Sequence, residues 1–182
     1  MQTSHDSDKT GQKKGVAYDG ANPDFEGFYH PPHALSAYET LNAPEWWRQE
    51  WLNRLQDLID HYRLELIYLD SGIPFLEDGG TTGMKLMSYF YNRNIEWHGD
   101  HHGVFTVKDR GPKRSLYVDG TATLDLERSK ADRKYPDPWQ TDDSIGPWGY
   151  KQDADYKTIN CVIDKLIDIV SKNGNLLLNV PP

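Results

Sequence analysis

Three charged residues each end or follow a short apolar run that has the composition of a β-strand. Asp70 ends LELIYLD, Arg110 ends GVFTVKDR, and Glu127 follows TATLDL. The carboxyl ends of parallel strands lie at one edge of a sheet, so these two acids and one cation could converge there. A pair of carboxylates, one a nucleophile and the other a proton donor, is the equipment for hydrolysing a glycosidic bond. Charged residues at strand ends are also common in turns and helix caps, so the pattern alone leaves both interpretations open.

The elements that must position these residues alternate between helix and strand. Three segments have the apolar spacing of helices: APEWWRQEWLNRLQDLIDHYR, MKLMSYFYNRN and ADYKTINCVIDKLIDIVSKNG. Pro44 and Glu45 favour the start of the first helix, and Gly174 marks the end of the third. The third helix carries one apolar stripe, made of Ile159, Ile163, Leu166, Ile167 and Val170. Strands are predicted over 64–70, 103–111 and 121–129 and in the closing NLLLNVPP, whereas 130–150 is predicted to be a long loop.

This order of elements predicts an α/β fold. Nearly continuous apolar strands separated by helices are typical of a parallel sheet that is covered by helices. A closed (β/α)8 barrel of the TIM type usually needs about 250 residues, so 182 residues with four recognisable strands predict a barrel that is present only in part. A small doubly wound sheet is the competing architecture. Residues 1–43, rich in Gly, Pro, Asp and His, are predicted to form an irregular loop or linker, and 44–182 the barrel domain.

The composition narrows the class of function. A formal net charge of −8 argues against a nucleic-acid binder, which needs a basic surface to meet phosphates. No apolar run of about 18 residues could span a membrane, and Cys161, the single cysteine, cannot form a disulfide within the chain. The opening MQTSHDSDKTGQKKG is not expected to be a signal peptide, because it lacks an apolar region. Six Trp and eleven Tyr could stack on sugars or fill a core.

Five segments, in order along the chain, resemble motifs of glycoside hydrolase family 29, the α-L-fucosidases. They are LIYLDSG, VKDRG, LDLERS, PWQTDDSIGPWGY and VSKNGNLLLNVPP. The last is the most specific, because a helix ending in Ser-Lys-Xaa-Gly-Asn leads directly into a Leu-Leu-Leu-Asn-Val strand. Two positions depart from the family pattern: Ser129 stands where Gly is usual, and Ser71 stands where Gly or Met is common.

The resemblance implies a role for each segment. Asp70 would be the nucleophile and Glu127 the acid/base of a retaining, exo-acting α-L-fucosidase. Arg110 would face the sugar and hold Asp70 ionised, while Trp148, with Trp139 in the same loop, would bind the fucose. The implied substrate is a fucosylated glycan or glycoconjugate, and no metal or organic cofactor is implied. Linkage, oligomeric state and compartment are left open, although full-length relatives suggest a secreted, periplasmic or lysosomal protein.

The resemblance also implies that the chain is the C-terminal half of a catalytic domain. The family carries a His-Trp-Gly segment and a Lys-His-His-Asp-Gly-Phe segment before its nucleophile, and neither precedes Asp70 here. The segment GDHHGVF imitates the second of these but follows Asp70. His98, Asp100, His101 and His102 in and beside that segment are expected to be solvated, since adjacent histidines in a Gly-flanked loop rarely form a metal site.

Two geometric expectations concern the carboxylates. The carboxyl groups of Asp70 and Glu127 should lie roughly 5–5.5 Å apart, as they do in retaining glycosidases. Asp125, in the same strand segment as Glu127, is expected to alternate to the other side of the strand and not to compete with it.

Two alternative functions stay open beside the fucosidase reading. A non-catalytic sugar-binding module would also use Trp and carboxylates, but it would more often be a β-sandwich with alternating strands. An inactive fragment is the other alternative, because an open half-barrel leaves strand edges and apolar surface without neighbours.

Overall fold

The computed structural model describes residues 22–29, 43–109 and 116–181. In chain order, its elements are α1 (Glu26–Tyr29), α2 (Glu45–Tyr62), β1 (Leu66–Leu69), α3 (Thr81–His98), β2 (Val104–Lys108), β3 (Thr123–Asp125), β4 (Trp139–Ser144), α4 (Ile159–Ser171) and β5 (Gly174–Asn179). Within these ranges, none of the helices combines the length and the apolar character needed to cross a bilayer. Most of the predicted linker over 1–43 lies outside the described residues, and 22–29 forms short helical turns.

The five strands form one parallel sheet in the order β1-β2-β3-β4-β5. A doubly wound sheet reverses its strand order at a switch point, and these five strands run in chain order without a reversal. They form a half-barrel, so the predicted fold class, a partial (β/α)8 barrel, is confirmed. Side chains alternate between the two faces of each strand. One face of the sheet is covered by helices, and the other is the inner face of the half-barrel.

The main core lies on the helix side of β1 and β2. There α2 and α3 pack against each other and against the apolar side chains of the two strands. Burying each large apolar side chain contributes about 1.5–3 kcal/mol, so this layer fixes β1 and β2 firmly in place. The buried members of the core are Leu52, Ile59, Ile67, Ile73, Leu86, Met87, Phe90, Phe105 and Val107.

The other end of the sheet is covered by α4. This helix begins after Thr158, whose hydroxyl accepts a hydrogen bond from the Cys161 amide. It packs on the sheet through Ile169, which contacts Trp139 and Leu176. The apolar stripe seen in the sequence of this helix faces outward, and its members are 44–77% exposed: Ile159, Ile163, Leu166, Ile167 and Val170. The outer surface of α4 is therefore apolar.

The prediction of a continuous loop over 130–150 is wrong, because Trp139–Ser144 forms β4. This strand pairs along its whole length with β5, from Trp139 beside Gly174 to Ser144 beside Asn179. Its last four residues are polar yet at most 8% exposed. Their partners lie far away in the sequence, so no local apolar pattern marks this segment as a buried strand.

Candidate active site

The carboxyl edge of the sheet brings charged residues from four strands together. Asp70 directly follows β1, Lys108 ends β2, Glu127 lies two residues beyond β3, and Asp142 lies within β4. Parallel strands present their carboxyl ends at one edge, where ligand sites of (β/α) barrels collect. We call these four residues the inner cluster.

The Lys108 ammonium is the centre of the inner cluster. Its Nζ lies 2.5 Å from Asp70 Oδ1, 3.1 Å from Asp142 Oδ2 and 3.2 Å from Glu127 Oε2. The side chain of Lys108 is 3% exposed, whereas that of Asp70 is 70% exposed and that of Glu127 is 40% exposed. Two carboxylates are thus accessible to solvent beside a buried cation, within reach of a single bound ligand.

Burial and ion pairs set the charges in the inner cluster. Burial acts to lower the pKa of Lys108, but hydrogen bonds to Asp70 and Asp142 outweigh it, and the pKa lies above its ordinary value. Burial raises the pKa of Asp142, and the Lys108 ammonium offsets this only in part. Burial also raises the pKa of Tyr68, whose ring centroid lies 5.9 Å from Lys108 Nζ. Lys108 is therefore charged and Tyr68 neutral at physiological pH.

Asp125 faces the same side of the sheet as the inner cluster, so the expectation that it points to the other side is wrong. Residues two apart in a strand share a face, and Asp125 lies in register with Lys108. Its carboxylate is 2% exposed and accepts hydrogen bonds from the Asp142 amide at 3.2 Å and from Gln140 Nε2 at 2.7 Å. Asp125 therefore ties β3 to β4 beneath the accessible carboxylates.

Asp70 and Glu127 are brought together as the sequence predicts, through their shared contact with Lys108. Trp148 lies in the chain that follows β4. The guanidinium of Arg128, the residue after Glu127, lies 4.4 Å from the centroid of the Trp148 ring, which is a cation–π contact. Trp148 is 45% exposed and so remains available to a ligand. Arg110, the predicted sugar-facing cation, lies outside the described residues.

Trp139 does not lie at the carboxyl edge of the sheet. It is the first residue of β4, at the amino end of the strand, and it is 2% exposed. Its ring packs in a core with Ala131 and Ile169, and its Nε1 donates a hydrogen bond to the Lys172 carbonyl. The expectation that Trp139 binds substrate does not agree with this position, because the two ends of a strand lie at opposite edges of the sheet.

Lys108 and Asp142 are the site residues that the sequence did not reveal. Lys108 is the one charged residue inside the apolar run VFTVK, and an internal charge in such a strand is costly unless it is paired. That signal was available in the sequence. Asp142 gave no comparable signal, because the segment around it does not have the pattern of a strand.

The histidines of GDHHGVF lie at the amino side of β2, away from the inner cluster. His98 Nε2 is 3.8 Å from Glu65 Oε1, and the rings of His98 and His102 are 5.1 Å apart. Over the part of the chain that the structure describes, no group of three or more His, Cys, Asp and Glu residues could hold a metal ion.

Comparisons with known proteins agree on one family. A family model described as alpha-L-fucosidase matches residues 3–182. Tissue alpha-L-fucosidase of Rattus norvegicus is 25% identical over 189 residues, which cover 94% of this chain and 37% of the relative. Plasma alpha-L-fucosidase of Homo sapiens is 25% identical over 166 residues, which cover 85% of this chain and 33% of the relative. The chain therefore spans about a third of the length of these relatives.

A solved structure supports the fold. The crystal structure of Thermotoga maritima alpha-fucosidase aligns with a TM-score of 0.54 and 21% sequence identity, covering 76% of this chain and 29% of that one. At this level of identity the similarity concerns the arrangement of strands and helices.

Proposed function

The chain belongs to the α-L-fucosidase family, and we propose that its inner cluster is the catalytic centre of an exo-acting, retaining α-L-fucosidase. The observation that carries this proposal is the contact of both Asp70 and Glu127 with one ammonium, at 2.5 and 3.2 Å. These distances bring the two contacting oxygens closer together than the about 6.5–9.5 Å that separates the carboxyl groups of an inverting pair. Their closeness favours a retaining mechanism.

In the first step, Asp70 attacks the anomeric carbon of a terminal α-L-fucosyl group and forms a covalent ester. Glu127 donates its proton to the glycosidic oxygen, so the aglycone leaves as an alcohol. In the second step, Glu127 accepts a proton from a water molecule, and the water oxygen displaces Asp70 from the anomeric carbon. The 40% exposure of Glu127 suits both tasks, since the leaving group and the water must reach it from solvent.

Lys108 supplies the counter-charge in this scheme. The attacking carboxylate of Asp70 needs a nearby cation, and Lys108 Nζ lies 2.5 Å from it. Lys108 is itself held by Asp142 from below, so its position does not depend on a bound sugar. A charged group that is fixed in advance stabilises a charge-separated transition state without a reorganisation cost.

Trp148 and Arg110 complete the proposed sugar site. The exposed ring of Trp148 would pack on the C5 methyl group of fucose, an apolar feature that most hexoses lack. Arg110 is proposed to contact the sugar by its place in VKDRG. Trp139 is not part of this proposal, because it is buried at the other edge of the sheet.

Activity is further proposed to require closure of the barrel. An (β/α)8 barrel closes with eight strands, and five are described here, with β1 and β5 at the open edges. Apolar residues are exposed on both edge strands, Leu66 at 57% and Leu177 at 48%. Unpaired strand edges bind further strands readily. We expect the chain alone to be inactive on an aryl α-L-fucoside and to self-associate.

The test compares the chain alone with a form extended at its amino terminus by the first barrel strands of a family member. We expect only the extended form, shown to be folded by circular dichroism, to hydrolyse 4-nitrophenyl α-L-fucoside. In that form, Glu127→Gln should lower kcat/KM on the order of 10²–10⁴-fold, and the control Glu65→Gln, at the amino end of β1, should not. Equal activity of both forms would contradict the need for closure. An active Glu127→Gln variant would contradict the proposed catalytic centre.

A further inference from the structure

The chain that follows β4 is fixed by two polar residues that the proposed reaction does not use. Ser144 ends β4 and Asn179 ends β5, and the two are partners in the sheet register. Ser144 is fully buried. Both lie at the carboxyl edge, so they stand between the sheet and the loop that carries Trp148.

The side-chain amide of Asn179 uses both of its protons in this arrangement. Its Nδ2 donates one hydrogen bond to Ser144 Oγ at 2.9 Å and another to the Trp148 carbonyl at 3.1 Å. An Asn amide has two such donors and no more. Asn179 therefore links the last strand directly to the backbone of Trp148, 31 residues earlier in the chain.

Ser144 is saturated in the same way. Its Oγ donates to the Pro147 carbonyl at 2.7 Å and accepts from the Asn179 amide and from the Gly146 amide at 3.3 Å. A hydroxyl offers one donor and two acceptor positions, and these contacts fill all three. Loss of either side chain would remove a hydrogen bond between them, and this is costly because Ser144 is fully buried.

The same loop is also held from the Glu127 side. The Arg128 guanidinium lies 4.4 Å from the Trp148 ring centroid, and its Nη2 donates to the Gly146 carbonyl at 3.5 Å. The loop backbone adds a bond from the Ile145 amide to the Asn179 carbonyl at 3.1 Å. Trp148 is thus held at its backbone carbonyl by Asn179 and at its ring by Arg128, the residue that follows Glu127.

We propose that Asn179 is a positioning residue that holds Trp148 as the apolar wall of the sugar site and thereby determines selectivity for a 6-deoxy sugar. Asn179 acts through Trp148 and does not touch the substrate. The selectivity part rests on the proposed function, because it requires Trp148 to contact the C5 methyl group. The positioning part concerns the protein without a ligand and can be tested separately.

The first experiment measures the position of Trp148 by fluorine NMR. The chain is labelled with 5-fluorotryptophan, which gives one signal for each of its six tryptophans, and Trp148→Phe identifies the signal of interest. Asn179→Asp keeps the shape of the side chain but removes both donors. We expect this variant to shift or broaden the Trp148 signal and to increase its solvent isotope shift.

The matched control is Asn175→Asp. Asn175 lies on the same face of β5, four residues before Asn179, so this variant makes the same chemical change at another place in the strand. It should leave the Trp148 signal unchanged. Ser144→Ala removes the hydroxyl that Asn179 contacts, and it should change the Trp148 signal in the same direction as Asn179→Asp. This second variant provides an independent result if the first does not fold. An unchanged Trp148 signal in Asn179→Asp and Ser144→Ala would overturn the positioning role.

The second experiment measures selectivity in the extended form that hydrolyses fucosides. The two substrates are an aryl α-L-fucoside and the aryl β-D-arabinopyranoside, which has hydrogen in place of the C5 methyl group. A methyl group in an apolar pocket is worth about 10–200-fold, and we expect Asn179→Asp to reduce the ratio of the two kcat/KM values about tenfold. Equal losses on both substrates would overturn the selectivity role. If the unaltered enzyme cleaves neither substrate, the proposed function fails, and the NMR result still decides the positioning role.

Discussion

Asp142 and Asp143 are neighbours in β4, yet their carboxylates lie in opposite environments. Asp142 faces the inner side of the half-barrel and shares the Lys108 ammonium with the accessible carboxylates of the inner cluster. Burial raises its pKa, and the nearby carboxylate of Asp125 adds to this effect. Charge on Asp142 is therefore disfavoured in the folded protein relative to water.

Asp143 faces the helix side and has cations around it. Its Oδ2 lies 2.5 Å from Lys157 Nζ and 2.6 Å from Lys165 Nζ, and its Oδ1 lies 4.0 Å from Arg128 Nε. We call these four residues the outer cluster. Burial acts to raise the pKa of Asp143, but the hydrogen bonds from the two lysines outweigh it and lower the pKa to about 2.

The two clusters reverse the roles of anion and cation. In the inner cluster, the cation is buried and the carboxylates of Asp70 and Glu127 are accessible to a ligand. In the outer cluster, the carboxylate of Asp143 is 2% exposed, with Lys157 and Lys165 around it. A buried, fully bonded anion holds the 145–158 connection against α4. Accessible carboxylates beside a fixed cation are suited to chemistry. Substitutions should therefore affect turnover at one cluster and folding at the other.

The largest effect is expected for Asp70→Ala in the extended, active form. Loss of the nucleophile should lower kcat on the order of 10⁴-fold or more, with little change in the melting temperature, because Asp70 is mostly exposed. Added azide should restore part of the activity by occupying the vacated space. The control Asp132→Ala, at an exposed surface position, should be fully active. Near-normal turnover of Asp70→Ala would show that another carboxylate is the nucleophile.

The second effect is on folding. Asp143→Asn removes the anion between Lys157 and Lys165 and leaves two ammonium groups close together. Breaking a buried pair costs about 3–5 kcal/mol, and we expect about 3 kcal/mol in the free energy of unfolding, because Lys157 is partly exposed. Urea unfolding measures this value. Asp168→Asn, at the partly exposed pair with Lys172, should have only a small effect. Equal losses in the two variants would contradict a special structural role for Asp143.

The third effect is the pH dependence of that stabilisation. The pKa of Asp143 falls from 3.8 to about 2 on folding, so its contribution is fully present above the unfolded value and is lost as the pH falls through the folded value. The shift corresponds to about 2 kcal/mol. The stability difference between the unaltered protein and Asp143→Asn should therefore shrink between about pH 4 and pH 2. A difference that stays constant over that range would contradict the low pKa.

The smallest effect is expected for Asp142→Asn. Its pKa is raised, so the penalty of charging it is present at neutral pH and disappears as the pH falls below its unfolded value. The amide oxygen of Asn can still accept the hydrogen bond from Lys108. We expect the free energy of unfolding at pH 7 to change by less than about 1 kcal/mol, in either direction. A loss as large as that of Asp143→Asn would remove the distinction between the two clusters.

The parts of the molecule that the sequence predicted are those with a local signal. Apolar strands that alternate with helices indicated the α/β half-barrel, and the family resemblance is confirmed by the match over residues 3–182. The convergence of Asp70 and Glu127 was predicted from strand ends alone, since parallel strands share one carboxyl edge. Their catalytic roles stay predictions.

The parts that escaped prediction depend on distant partners. β4 was predicted to be a loop because its sequence is polar. Its carboxylates are stabilised by bonds to distant groups such as Lys108 and Lys165, 34 and 22 residues away. Asp125 was placed on the wrong face, although residues two apart in a strand always share one. Trp139 was predicted to bind the sugar because it lies in the same segment as Trp148. Only the strand boundary shows that it lies at the opposite edge of the sheet.

The most direct test of the central claim is to trap the covalent intermediate. The extended form that cleaves aryl fucosides is incubated with 2-deoxy-2-fluoro-L-fucosyl fluoride, and the modified peptide is identified by mass spectrometry. We expect one fluorofucosyl group for each active site, attached to Asp70, and no label in Asp70→Asn. A label on Glu127, Asp142 or Asp125, or an active enzyme that forms no covalent adduct, would contradict the assignment of Asp70 as the nucleophile of a retaining enzyme.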